Sequence, residues 1–147
     1  MLSYCQDYDE QFPGSGGAVP SATYPYGQWI WANAAGAWNM TGSALYPYIK
    51  NTQIFLCPSR KNATPTGCTF EMNALCGGAS LGGVDDVSGT CLYNEADCDD
   101  GACTYSDGGT GIGIHNGGSN VGFVDGHAKW LNVNDLKKQS LYTLATD

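Results

Sequence analysis

Acidic side chains are concentrated in one short stretch of the sequence. Seven of the 14 Asp and Glu residues fall within residues 85–107, where there is no Lys or Arg: Asp85, Asp86, Glu95, Asp97, Asp99, Asp100 and Asp107. Carboxylates this close together repel one another unless water or a hard cation such as Ca²⁺ separates them. We therefore expect one of two arrangements. The first is a calcium site at Glu95, Asp97, Asp99 and Asp100, although Gly101 is misplaced for an EF-hand loop. The second, which the sequence slightly favours, is a solvated acidic loop pinned by neighbouring cysteines.

A second pattern suggests nucleophilic catalysis. Residues 78–82 read GASLG and match the G-x-S-x-G motif, with Ser80 at its centre and Asp107 and His115 following in the order of a Ser–Asp–His hydrolase. That motif requires a sharp turn between a strand and a helix in a large, mostly parallel sheet. The residues around Ser80 are rich in glycine and the chain is short for such a fold. We therefore expect the match to be accidental.

Exposed acids beside aromatic rings would also suit glycan cleavage or glycan binding. Five aromatic residues cluster within residues 24–38: Tyr24, Tyr26, Trp29, Trp31 and Trp38. Such rings can stack on sugars, but packing in a core is their commoner use. No spacing in the sequence selects a particular pair of carboxylates for glycoside hydrolysis. A small secreted hydrolase or a glycan-binding module is therefore the alternative function.

The cysteine pattern favours disulfides over metal-thiolate binding. There are seven cysteines, with no C-x-x-C pair and no Cys–His spacing of the zinc-finger type: Cys5, Cys57, Cys68, Cys76, Cys91, Cys98 and Cys103. So many cysteines in a short chain are typical of an oxidising, extracytoplasmic compartment. An odd number allows at most three bridges and leaves one thiol, for which Cys5 is the candidate. The connectivity stays open.

Length and charge narrow the function classes. A chain of 147 residues is expected to form a single domain, residues 1–147. Six basic against 14 acidic side chains give a net charge of -8, which excludes the nucleic-acid-binding class and disfavours anionic membrane surfaces. There is no apolar run of signal-peptide or transmembrane length. We therefore expect that an export or anchoring segment belongs upstream of this sequence.

Hydrophobic periodicity places the expected elements. Residues 1–12 carry Leu2, Cys5, Tyr8 and Phe12 at helical spacing and should form a helix that stops at Pro13. A second helix is expected over 41–50, short or kinked because Pro47 lies within it. Strands are predicted over 53–57, 66–72 and 90–93, with a loop over 77–90.

The C-terminal part of the sequence gives the clearest structural prediction. The runs VGFV and HAKWL flank Asp125-Gly126, which predicts a hairpin with a two-residue type I′ turn. A short amphipathic segment should follow over 134–147, with Asn134 as its N-cap.

The same stretch carries the motif that suggests a family. His115 stands ten positions before Asp125-Gly126, which is the pattern H-x9-D-G. The motif resembles the prepilin-type, H-X9-DG family of type IV pilin-like proteins. The resemblance extends over most of the chain through the segments YCQDYDEQFP, LYPYIKNTQIFLCPS, FEMNALCGGASL and LYNEAD. It departs from the family in lacking the apolar N-terminal helix with its processing site, and in its longer Cys-rich acidic loop.

The resemblance implies an α+β pilin-like head that is rich in loops and stabilised by disulfides. Its truncated N-terminal helix would lie on an antiparallel sheet, with Leu2, Cys5 and Tyr8 seated around Phe123 and Trp130. The implied role is a structural or adaptor subunit, not an enzyme, in a type II secretion-like or type IV pilus-like filament. Its partners would be other pilin-like subunits, and its full-length form would be anchored in the inner membrane.

His115, Asp125 and Gly126 are expected to have structural roles. Asp125-Gly126 would supply the turn, and His115 would hydrogen-bond a backbone carbonyl or a carboxylate across the sheet. The alternative is a metal site made by His115, Asp125 and His127, which is a weak signal without a fourth ligand.

Overall fold

The computed structural model describes residues 1–16, 26–30, 39–60, 68–95, 102–103 (backbone only) and 113–145. Four antiparallel strands form the sheet: β1 (Phe70–Asn73), β2 (Cys91–Glu95), β4 (Gly118–Phe123) and β5 (Ala128–Asn132). The two-residue strand β3 (Ala102–Cys103) pairs in parallel with β1, which gives the order β3-β1-β2-β4-β5. Three short helices accompany the sheet: α1 (Leu2–Asp7), α2 (Tyr46–Ile49) and α3 (Val133–Leu136). The α+β class expected from the sequence is confirmed.

Strands β4 and β5 form the expected hairpin, but the expected turn type is wrong. A type I′ turn needs positive φ at both central residues, and Asp125 is not among the residues with positive φ. Instead the Phe123 amide donates to the His127 carbonyl at 2.9 Å, and the Gly126 amide donates to the Phe123 carbonyl at 3.0 Å. The loop thus has three residues, and only Gly126 adopts a left-handed conformation, with φ +94°. An additional residue, Val124, enters the loop because its side chain is fully buried in the core.

Helix α1 lies on the core, as the resemblance implies, but its contacts differ from those expected. Tyr4 and Cys5 are buried in the larger hydrophobic cluster, which also contains Leu92 and Val124. Phe123 belongs to a second cluster, with α3 and the C-terminal residues. The prediction that α1 packs around Phe123 is therefore wrong.

The expected packing of α1 against Trp130 is also not observed. Trp130 is 45% exposed and lies outside both clusters, so it does not receive the helix. The helix also ends at Asp7, well before Pro13, because Asp9 and Glu10 adopt left-handed conformations with φ of 51° and 58°.

The middle of the chain contains helical turns where a strand was expected. Thr52–Phe55 forms a 3₁₀ helix, and the Asn51 side chain caps it by accepting a hydrogen bond from the Gln53 amide at 2.9 Å. The predicted strand over 53–57 is therefore wrong. The helix predicted over 41–50 is confirmed as short, since α2 (Tyr46–Ile49) has Pro47 in its first turn and ends before the left-handed Lys50.

Two further boundaries were misplaced. The N-cap of α3 is Asn132 and not Asn134, because the Asn132 side chain accepts hydrogen bonds from the Asn134 and Asp135 amides. Strand β1 extends to Asn73, beyond the predicted end of that strand.

The expectation of disulfides is not met by the five cysteines whose side chains the structure describes. Cys5, Cys57, Cys68, Cys76 and Cys91 are all buried, and no two of them are paired in a disulfide. The Cys68 thiol donates to the Phe70 carbonyl at 3.1 Å, and the Cys76 thiol donates to the Cys91 carbonyl at 3.8 Å. Cys5 is thus one of several free thiols and not a single remainder. The side chains of Cys98 and Cys103 lie outside the described residues.

Burial also changes the acidity of these thiols. Desolvation raises the pKa of Cys76 to about 12. The pKa of Cys91 is raised by desolvation and then by its proximity to Cys76, and that of Cys5 is raised mainly by desolvation. A thiol with a raised pKa stays protonated at neutral pH and is a poor nucleophile.

The described helices are all short. Within residues 1–16, 26–30, 39–60, 68–95 and 113–145, none combines the length and apolar character needed to cross a bilayer.

Candidate functional site

Three chemically reactive side chains converge at the end of β2. Glu95 is the last residue of β2, His115 lies in the turn before β4, and Cys57 follows the 3₁₀ helix. His115 Nε2 lies 2.7 Å from Glu95 Oε1 and 3.3 Å from Cys57 Sγ. One atom from each of the three side chains lies within 4.8 Å of the others. We refer to Cys57, Glu95 and His115 as the three-residue cluster.

The sheet and its loops fix each member of the cluster. The second oxygen of Glu95, Oε2, accepts a hydrogen bond from the Asn120 amide on the neighbouring strand β4 at 2.8 Å. The Cys57 amide donates to Thr69 Oγ1 at 2.6 Å, just before β1. The Trp130 indole on β5 donates to the His115 carbonyl at 2.7 Å. Four strands therefore contribute, directly or through adjacent residues, to the position of the cluster.

Gly118 makes the approach of Trp130 possible. A Cβ atom at this position would lie 2.2 Å from the Leu131 carbonyl oxygen and 2.5 Å from the Trp130 ring. Only glycine fits, because the nearest atom is the Leu131 backbone oxygen, which cannot move without displacing strand β5. This glycine lets the indole lie over the start of β4 and reach the His115 carbonyl.

The cluster is buried on one side and open on the other. Glu95 is 2% exposed and Cys57 is 7% exposed, whereas the His115 side chain is 25% exposed. A buried carboxylate is costly unless it is paired or hydrogen-bonded, and Glu95 meets this requirement at both oxygens. Of the two partners expected for His115, a backbone carbonyl or a carboxylate across the sheet, the structure shows a carboxylate, that of Glu95, which the sequence did not identify.

The geometry argues against a cysteine nucleophile activated by a histidine–acid relay. In such a relay one ring nitrogen faces the nucleophile and the other faces the acid. Here Glu95 and Cys57 both face the same nitrogen, Nε2 of His115. A carboxylate on that nitrogen competes with the thiol for it. Three potential ligand atoms that lie close to one another are instead what a metal site would show, and thiolate, imidazole and carboxylate are all zinc ligands.

The hydrolase candidates are not brought together among the described residues. Ser80 is exposed and precedes a 3₁₀ helix, Leu81–Gly83, with its backbone bridged to Gln11. The side-chain hydrogen-bond partners of His115 are Glu95 and Cys57, not Ser80. Asp107 lies outside the described residues.

The two parts of the H-x9-D-G motif lie at opposite ends of β4. That strand has six residues and, at about 3.3 Å per residue, is roughly 20 Å long. Asp125 Oδ1 accepts a hydrogen bond from the His127 amide at 3.1 Å and lies 2.6 Å from His127 Nδ1. Both bonds lower the pKa of Asp125 below its usual value, and the bond from the His127 amide has the larger effect. The alternative metal site of His115, Asp125 and His127 therefore does not assemble.

Of the four residues predicted to bind calcium, only Glu95 is among the described residues. Both of its oxygens are occupied by His115 and by the Asn120 amide. Asp97, Asp99 and Asp100 lie outside the described residues, so calcium at this loop stays a prediction. Of the preceding acids, Asp86 accepts bonds from Ser88 and Gly89, and the Ser88 hydroxyl is the main cause of the lowered pKa of Asp86.

Of the two described aromatic residues of 24–38, Trp29 packs inside the protein and Tyr26 is half-buried. Trp29 is 2% exposed, and its ring lies near those of Phe55 and Tyr93, with centroids 6.2 and 5.1 Å away. Core packing, the commoner interpretation, is confirmed for Trp29. Tyr24, Trp31 and Trp38 lie outside the described residues.

Comparison of the chain with family models, with curated proteins and with solved structures found no match. The resemblance to pilin-like proteins therefore rests on the motifs of the sequence.

Proposed function

We propose that this chain is the head domain of a pilin-like subunit that acts through its surface in an extracytoplasmic filament. The filament would be of the type II secretion-like or type IV pilus-like kind, and its other pilin-like subunits would be the partners. The observation that carries this proposal is the seat of α1. Tyr4 and Cys5 are buried against the core, and Leu2 Cδ1 lies 3.3 Å from where a Cβ on Gly126 would be. The helix thus begins at the turn of the H-x9-D-G hairpin.

The contact between Leu2 and Gly126 joins the N-terminal segment to the H-x9-D-G motif, the two most specific parts of the resemblance. In a pilin-like subunit the N-terminal helix must be held firmly by the head, because the helix transmits forces and contacts within the filament. Here the Tyr4 hydroxyl donates to the Tyr26 carbonyl at 2.7 Å, and the Tyr48 hydroxyl donates to Asp7 at 2.7 Å. Helix α1 is therefore anchored by polar bonds as well as by apolar burial.

The same proposal assigns the cellular location. The full-length form would carry an apolar helix continuous with α1, anchored in the inner membrane before assembly. The acidic head, with its net charge of -8, would face an extracytoplasmic space and contact neutral or basic surfaces. A structural role also agrees with the exposed position of Ser80 and with the shared nitrogen of the three-residue cluster, neither of which favours hydrolysis.

A fusion experiment tests the proposal. The chain would be joined to the N-terminal processing site and apolar helix of a working type IV pilin and expressed with the pilin's assembly machine. We expect the fusion to enter sheared filaments, as measured by immunogold electron microscopy. The control joins the same helix to an unrelated soluble domain of similar size. Equal incorporation of the two fusions, or none of the head, would contradict the proposal.

A further inference from the structure

We propose that Cys57 Sγ, Glu95 Oε1 and His115 Nε2 bind a zinc ion. The three ligands come from distant parts of the sequence and approach one another without any cysteine or histidine pair of zinc-finger spacing. The inference does not depend on the proposed function, because a metal site of this kind would suit a structural subunit and an enzyme equally.

The distances are close to those of a tetrahedral zinc site. Zinc lies about 2.3 Å from a thiolate sulfur and about 2.0–2.2 Å from imidazole nitrogen or carboxylate oxygen, so its ligand atoms lie about 3.3–3.6 Å from one another. The observed separation of Cys57 Sγ from His115 Nε2 is 3.3 Å, that of His115 Nε2 from Glu95 Oε1 is 2.7 Å, and all three ligand atoms lie within 4.8 Å of one another. To admit the ion, the imidazole and the carboxylate must separate by about 0.6 Å, and the sulfur and the carboxylate oxygen must come to lie about 3.6 Å apart.

The ligand types select zinc over calcium or magnesium. Calcium and magnesium prefer sets made wholly of oxygen, and this cluster offers one carboxylate. A thiolate with an imidazole favours zinc or another late first-row metal. On binding, the Cys57 thiol releases its proton to solvent and the sulfur coordinates as thiolate, so uptake of one ion releases a proton.

The surroundings of the cluster meet two further requirements of a metal site. Ligands need outer partners that fix their orientation, and the Asn120 amide already holds the second oxygen of Glu95 at 2.8 Å. The ion also needs a path from solvent. His115, with 25% of its side chain exposed, lies on the open side of the cluster. Three protein ligands and an open side leave the fourth position to a water molecule.

An ion here would tie three segments together. Glu95 and His115 are the two ends of the segment 96–114, and Cys57 comes from before β1. Zinc would therefore close the base of the Cys-rich acidic segment and attach it to the rest of the domain. Since the described cysteines form no disulfide, this metal would provide a cross-link where the sequence suggested bridges.

The test uses the full chain, purified with a non-thiol reductant and stripped of metal by a chelator. Zinc would then be added, the excess removed by dialysis, and the bound zinc measured by elemental mass spectrometry. Cobalt(II), added in the same way, would identify the ligand types by its absorption spectrum. We expect one equivalent of metal and a thiolate-to-cobalt charge-transfer band. Cys57→Ser should abolish the band, and Glu95→Gln and His115→Asn should each weaken zinc binding at least tenfold. Cys68→Ser and His127→Asn are the matched controls and should bind as the parent protein does.

A second measurement keeps the test decisive if a variant does not fold. In the parent protein, zinc should slow alkylation of Cys57 at least tenfold without slowing that of Cys68, as read by peptide mass spectrometry. Absence of metal from the parent protein, a charge-transfer band that persists in Cys57→Ser, or equal alkylation with and without zinc would each overturn the proposal.

Discussion

Glu95 Oε1 and His115 Nε2 lie 2.7 Å apart although 20 residues separate them in the sequence. The contact crosses from the end of β2 to the turn before β4, and the same carboxylate also receives the Asn120 amide. Glu95 therefore fixes the relative position of two neighbouring strands at the edge of the acidic segment. Its loss should affect stability even when no metal is present.

In the presence of a chelator, Glu95→Leu should lower the free energy of unfolding by about 1–3 kcal/mol. The substitution removes the acceptor of the Asn120 amide, and a hydrogen bond to a charged group contributes about 1.5–3 kcal/mol to stability. Urea denaturation followed by tryptophan fluorescence measures the change. Glu95→Gln should cost less, since an amide oxygen can still accept from Asn120. Glu10→Gln, at an exposed position, should change stability by less than about 0.5 kcal/mol. Equal effects of all three substitutions would contradict this account.

Gly126→Ala should destabilise the hairpin and disturb the seat of α1. A non-glycine residue held at φ +94° costs about 1–3 kcal/mol, and the new Cβ would lie 3.3 Å from Leu2 Cδ1. Combining it with Leu2→Ala should remove the contact with the helix but not the backbone strain, so only part of the loss should return. A double-mutant cycle in urea measures the two contributions. Gly83→Ala, where an added Cβ meets nothing within 4 Å, is the control. Full recovery in the double mutant would show that strain at Gly126 is unimportant.

Acid should weaken the hairpin through Asp125. Its pKa is lowered in the folded protein, first by the His127 amide and then by the His127 side chain, so the folded state favours the carboxylate. The stabilisation is therefore present above the ordinary pKa of aspartate, about 3.9, and is lost as the pH falls through the lower pKa of the folded state. Asp125→Asn should flatten the acid limb of the melting temperature measured between about pH 5 and pH 2. An acid limb as steep as that of the parent protein would remove Asp125 from this role.

The buried thiols should react slowly. Burial raises the pKa of Cys76 to about 12 and also raises that of Cys91, so both remain protonated near neutral pH. We expect an aromatic disulfide reagent to label them at least tenfold faster in denaturant than in buffer, because the thiolate is the reactive form. Mass spectrometry of alkylated peptides identifies the sites. A disulfide between Cys76 and Cys91 in the non-reduced protein would contradict the structure.

Local sequence signals predicted some elements well. The runs VGFV and HAKWL around Asp125-Gly126 correctly predicted the β4–β5 hairpin, because alternating apolar residues around Asp-Gly are a strong short-range signal. The turn type was not predictable from the dipeptide alone, since burial of Val124 adds a residue to the loop. The segment 53–57 was mistaken for a strand because a short apolar run does not distinguish a strand from a helical turn. The Asn51 cap decides for the turn.

The candidate site was only half visible in the sequence. His115 was expected to hydrogen-bond a backbone carbonyl or a carboxylate across the sheet, but which group it meets depends on the pairing of β2 with β4. That pairing contains a register shift between Cys91 and Tyr93, which no local pattern indicates. Cys57 was harder still to foresee, because it reaches His115 from the segment that follows a 3₁₀ helix, outside the sheet. Its interpretation as a disulfide cysteine followed from the number of cysteines and not from its surroundings.

Strand β5 has β4 on one side and no further strand of the described chain on the other. Its outer row of amides and carbonyls is thus a template on which another extended peptide could pair, and proteins commonly protect such rims with lysine. Lys129 is the second of the five residues of β5 and is exposed. Together with the short length of β5, its charge discourages uncontrolled growth of the sheet from molecule to molecule.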